Sequence, residues 1–65
     1  MAVTLYRQIV ALLLAYGCQQ VRQGKGSHEI WQSPITDKRF TVPTTITAKP
    51  TANAILKQAG IPRKI

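Results

Sequence analysis

An α+β fold of helix, three strands and helix is what this 65-residue sequence predicts, and three observations carry the prediction. Apolar residues recur at helical spacing near both ends, and the middle of the chain alternates in short runs broken by turn residues. The length suits one small domain over residues 1–65, with a low fraction of its surface buried. An antiparallel three-stranded sheet with both helices packed on one face would bury both apolar stripes together.

The first helix is expected over Val3 to Tyr16, where Leu5, Ile9, Leu12, Leu13 and Tyr16 share a face. Thr4 suits the N-cap, and Gly17 suits the left-handed residue that ends a helix. Three extended runs follow, Cys18 to Gln23, Ser27 to Gln32 and Arg39 to Val42, separated by Gly24-Lys25-Gly26 and by Ser33-Pro34-Ile35-Thr36-Asp37. The first run alternates poorly. In the second, His28, Ile30 and Gln32 fall on one side of the sheet and Glu29 and Trp31 on the other. Pro43 is expected to end the third strand, and Thr44 to Lys49 reads as a polar connection. The second helix opens at Pro50-Thr51 and presents Ala52, Ile55, Leu56 and Ala59 as its apolar face. It carries Lys57 in its last turn and stops at Gly60 and Pro62.

Cys18 is the only cysteine and His28 the only histidine, so neither an internal disulfide nor a His/Cys zinc site can be assembled. No metal and no small-molecule cofactor is expected. Extra stability for so small a core would then come from oligomerisation or a bound partner. Nine Lys and Arg against two acids give a formal charge of +7, which favours a polyanionic partner: nucleic acid, an anionic membrane surface or an acidic protein. The cations are scattered along the chain, as on a folded basic surface. Arg7, the apolar stretch Ile9 to Ala15 and Gly17-Cys18 imitate a lipoprotein signal. The single Arg, the short apolar run and the bulky Tyr16 argue against that, and a cytoplasmic location is expected. No stretch approaches the roughly 18 apolar residues of a membrane span, and an uncharged amphipathic first helix argues against a membrane-surface role.

Gly24-Lys25-Gly26-Ser27-His28 sets a flexible basic turn before a hydroxyl and an imidazole. Glycines allow close backbone approach to a phosphate, and Ser27 and the turn amides could donate to it. The same spacing also suits an ordinary hairpin with a lysine for solubility. Histidine is the side-chain type that ordinarily titrates near neutrality, so His28 is the first candidate for proton transfer. RNA can be cut without a metal when a base removes the 2′-hydroxyl proton and positive groups stabilise the transition state. Arg22, Lys25, Lys38 and Arg39 are available for that work. An exposed strand histidine with no role fits the residues as well. Trp31 could stack on a base, but its place opposite His28 favours the core, and Cys18 reads as a small buried hydrophobe.

Taken in order, Gly17-Cys18, Val21-Arg22-Gln23, Gly26-Ser27-His28-Glu29-Ile30-Trp31, Phe40-Thr41-Val42-Pro43 and Ala54-Ile55-Leu56-Lys57-Gln58-Ala59-Gly60-Ile61 resemble HicA, the mRNA-cleaving toxin of HicA–HicB toxin–antitoxin systems. The likeness runs over nearly the whole chain. It implies a double-stranded-RNA-binding-domain-like α-β-β-β-α fold and a metal-independent endoribonuclease acting on mRNA. It also implies a HicB-type antitoxin that covers the active face. The histidine of Gly26-Ser27-His28 would be catalytic, and Arg22, Lys25, Gly26, Ser27, Lys38 and Arg39 would form the RNA-binding set. The chain departs from the family pattern in a longer turn at Gly24-Lys25, in Thr44 where a histidine often follows Val-Pro, and in Pro50-Thr51 for the usual Gly-Thr. The other reading of the same fold is a module that holds RNA without cutting it.

Overall fold

The computed structural model describes residues 4–65, and within them the order is α1 (Leu5–Ala15), β1 (Gln19–Gln23), β2 (His28–Gln32), β3 (Arg39–Pro43) and α2 (Lys49–Gln58). The expected helix start at Val3 lies outside the described residues. Thr4 caps α1, its side-chain oxygen accepting from the Arg7 amide at 3.2 Å. Beyond Ala15 the Gly17 amide donates to the Leu14 carbonyl and the Cys18 amide to that of Leu13, which satisfies two carbonyls the helix leaves unpaired. The same pair of bonds closes α2, from Gly60 to Lys57 and from Ile61 to Leu56.

The three strands form one antiparallel sheet in the order β1-β2-β3. Its inner face carries Glu29, Trp31, Phe40 and Val42, and both helices lie on that side. Ile9 and Leu13 of α1 and Ala52, Ile55 and Leu56 of α2 join these sheet residues in a single apolar cluster. Fully burying an Ile or Leu is worth about 1.5–3 kcal/mol, so a few such side chains dominate the stability of a chain this short. Among the described residues no helix lies over the opposite face of the sheet. β1 is exposed at every position, so it completes the sheet without adding to the core.

Four details differ from the sequence-based expectation. Cys18 and Ser27 lie just outside their strands, and Pro43 is the last residue of β3, not a residue beyond it. Proline is tolerated there because β3 is an edge strand and ends at that point. The connection after β3 is not wholly polar, since Ile46 is buried beneath it. α2 begins at Lys49, with Ala48 in the capping position and no side-chain cap.

Candidate functional site

Alternation along β2 and β3 decides what the open face presents. Glu29, Trp31, Phe40 and Val42 are buried, so His28, Ile30 and Gln32 of β2 and Arg39 and Thr41 of β3 point the other way. His28 stands opposite Pro43 at one end of this face, and Gln32 stands opposite Arg39 at the other.

β1 contributes through an irregularity. Gln20 pairs with Trp31 and Arg22 with Ile30, so Val21 is an extra residue with no partner of its own. Simple alternation from Gln19 would turn Arg22 toward the helices. The bulge resets the phase and brings Arg22 beside Ile30 on the face that bears His28. This explains why the first run alternates poorly in the sequence.

The β1–β2 turn fixes the backbone of His28. Its amide donates to the Lys25 carbonyl at 3.0 Å, and its carbonyl accepts from the Gly24 amide at 2.8 Å and from the Gln23 side-chain amide at 3.3 Å. Gly26 takes φ +57° in the turn, a conformation that costs a side-chain-bearing residue energy. Gln23 also donates to the Gly26 carbonyl at 3.3 Å, so one amide ties both sides of the turn. Sequence reasoning overlooked Gln23; its signal was a polar side chain directly before a glycine-rich turn. The His28 imidazole is exposed and makes no hydrogen bond to another described residue, and Lys25, Gly26 and Ser27 are exposed beside it. The Thr44 amide donates to the Ser27 carbonyl at 2.8 Å, which places Thr44 at this same end of the sheet.

The two acids are kept away from the imidazole. Glu29 is only 9% exposed and points into the helix side, where one of its oxygens accepts from Tyr6 Oη at 2.8 Å and from Trp31 Nε1 at 3.2 Å. The hydrogen bond to Glu29 first, then burial and the nearby carboxylate charge, push the Tyr6 hydroxyl above its ordinary value of 10.0. Asp37 lies in the β2–β3 loop and accepts from the Gln32 side chain at 3.2 Å. Among the described residues no three of His, Cys, Asp and Glu come together.

Of the seven residues singled out from the sequence, His28, Lys25, Gly26 and Ser27 cluster at the turn, and Arg22 joins them on the open face. Lys38 and Arg39 do not. Arg39 shares the face but sits four residues along the strands from the His28–Pro43 pair, about 13 Å at roughly 3.3 Å per residue. Lys38 precedes β3 and lines a separate groove with Arg39 and Lys57.

Over residues 6–61 the chain matches the family model described as the HicA toxin of bacterial toxin–antitoxin systems. The chain belongs to the HicA toxin family. That match runs from the second residue of the first helix through the whole sheet to the second helix with its glycine stop, so the HicA framework takes in all five elements but for Leu5 at the start of the first. No curated protein and no solved structure matches the chain. As a HicA family member it is a toxin of a toxin–antitoxin system, and such a toxin has an antitoxin as its counterpart. No helix among the described residues is long and apolar enough to cross a membrane.

Proposed function

We propose that this single-domain chain is a cytoplasmic, metal-independent endoribonuclease that cleaves mRNA, with His28 as its catalytic residue, and that a HicB-type antitoxin restrains it by covering the open face. The observation that carries the reading is an exposed imidazole with a pinned backbone and no hydrogen-bond partner among the described residues, flanked by a basic glycine turn and by Arg22, in a chain of the HicA toxin family.

His28 in its neutral form takes the proton from a ribose 2′-hydroxyl. The alkoxide attacks the adjacent phosphorus, the bond to the 5′-oxygen breaks, and that oxygen leaves with a proton returned by the imidazolium or by water. The products are a 2′,3′-cyclic phosphate and a 5′-hydroxyl. Arg22 and Lys25 offset the charge that builds on the phosphoryl oxygens, and the amides and hydroxyl of Gly26 and Ser27 hold the phosphate. Lys38 and Arg39 contact the RNA farther along its backbone. The basic surface as a whole accounts for attraction of a polyanion.

The test compares wild type with His28→Ala, both as induced proteins followed for growth and mRNA integrity and as purified proteins on a labelled RNA. The substitution should abolish growth arrest and lower cleavage by about 100-fold or more, the ordinary weight of a general base. Equal cleavage by both proteins would remove His28 from the mechanism. Binding without cleavage by the wild type would leave an RNA-holding module.

A further inference from the structure

The basic surface continues beyond the open face. α2 presents Pro50, Asn53, Ala54 and Lys57 outward at helical spacing, and the segment after Gly60 runs back along the helix, held where the Ile65 amide donates to Asn53 Oδ1 at 2.8 Å. Between them lies a groove of about 570 Å³ whose charged lining residues are Lys57, Arg63 and Lys64. On the other side of the Ala54–Lys57 ridge lies a second groove, of about 530 Å³, lined by Thr36, Lys38, Arg39, Ala54, Lys57 and Gln58. Lys57 lines both.

Five cations therefore follow one another from the sheet edge to the far side of α2, and neither groove has an acid in its lining. The two acids of the sequence are engaged elsewhere: Glu29 is buried with Tyr6 and Trp31, and Asp37 is held by Gln32 and opens on a different cavity. Arg39 is the junction, because it stands on the open face with His28 and also lines the second groove. We infer that the two grooves form a track for the phosphate backbone of a single RNA strand, which leaves the His28 end of the open face, passes Arg39 and Lys38, and crosses Lys57 to reach Arg63 and Lys64. The small Ala54 side chain on the ridge leaves room for a strand to cross. The inference rests on the proposed action on RNA and extends it: the protein grips a length of strand well beyond the nucleotides being cut.

The experiment measures binding of two fluorescein-labelled single-stranded oligoribonucleotides of mixed sequence, one of about 5 and one of about 16 nucleotides, to a His28→Ala background at several salt concentrations. A single strand releases about 0.7 of a counterion per phosphate contact. The long oligonucleotide should bind the background protein more tightly and with the steeper salt dependence. Adding Lys57→Ala, Arg63→Ala and Lys64→Ala should collapse that advantage by about tenfold or more at low salt and flatten the slope for the long strand by about two units. A control that removes exposed charge elsewhere, Arg7→Ala with Lys49→Ala, should retain most of the long-strand advantage.

An unchanged advantage in the triple variant overturns the track and leaves an acidic protein segment as the occupant of the groove. An equal loss in the control overturns it too, because net charge alone would then explain the binding. If neither oligonucleotide binds the His28→Ala protein and the wild type leaves RNA intact, the failure belongs to the proposed action on RNA.

Discussion

The two ends of the sheet are built to different plans. At the β2–β3 end the chain is locked to α2 by two hydroxyls, one of them buried. Ser33, fully buried, donates from Oγ to the Ala59 carbonyl at 2.6 Å and accepts from the Ile35 amide at 3.1 Å, and Thr36 Oγ1 donates to the Gln58 carbonyl at 3.2 Å. These bonds satisfy carbonyls at the last turn of α2 that a helix cannot satisfy itself. At the β1–β2 end the turn is held by its own backbone, by Gln23 and by the Thr44 amide on the Ser27 carbonyl, and the imidazole, hydroxyl and lysine of residues 25–28 are exposed and hydrogen-bond to no other described residue. One end ties its polar groups into the fold. The other leaves them exposed.

Two glycines with positive φ sharpen the contrast, and substituting them should give the largest and clearest difference in stability. A Cβ on Gly60, at φ +77°, would lie 2.9 Å from methyl groups of both Ile35 and Thr36, whereas one on Gly26, at φ +57°, would meet nothing within 4 Å. Gly60→Ala carries the backbone strain and also disrupts the loop packed on α2, and should cost about 2–4 kcal/mol; Gly26→Ala carries the strain alone, about 1–2 kcal/mol. In a domain this small each kcal/mol moves Tm by about 4–8 °C, so thermal melting resolves the two. Equal shifts would mean that the Ile35–Thr36 contact is not structural.

Ser33→Ala comes next. It leaves the Ile35 amide and the Ala59 carbonyl without their partner and should cost about 1–3 kcal/mol. His28→Ala, by contrast, should change stability by no more than about 0.5 kcal/mol, as expected of an exposed side chain that hydrogen-bonds to no other described residue. A large loss of Tm in that variant would break the comparison between the two ends.

The smallest effect is one of pH. The Tyr6 hydroxyl titrates above 10.0 in the folded state because it donates to Glu29. A raised folded value means that its contribution is complete below pH 10.0 and fades as pH climbs through the higher folded value. Denaturant melts of wild type and Tyr6→Phe should therefore differ most at neutral pH and converge above pH 10. A gap that widened with pH would show that the hydroxyl is not donating to Glu29.

Much of this was readable from the residues in order. Thr4, Gly17 and Gly60 mark helix ends through bonds that span only a few positions, and the exposure of His28 beside the buried Trp31 follows from strand alternation. Such features depend on neighbours in sequence, so local physics is enough to predict them. The family match over residues 6–61 takes in Gly17, His28, Trp31 and Gly60.

What the sequence could not decide depends on groups brought together from a distance. The Val21 bulge arises from how β1 meets β2, and it alone puts Arg22 on the face of His28. Lys38 and Arg39, grouped with His28 by charge, fall at the far end of the sheet because the antiparallel register sets the start of β3 against the end of β2. Ser33 resembles an ordinary turn residue until the end of α2, 26 positions later, arrives to take its hydroxyl. Sequence patterning determined the order of the elements, the stops of both helices and most of the residues that lie inside. Only packing decided which charges share a surface, because a strand's register and a helix's placement are properties of pairs of elements.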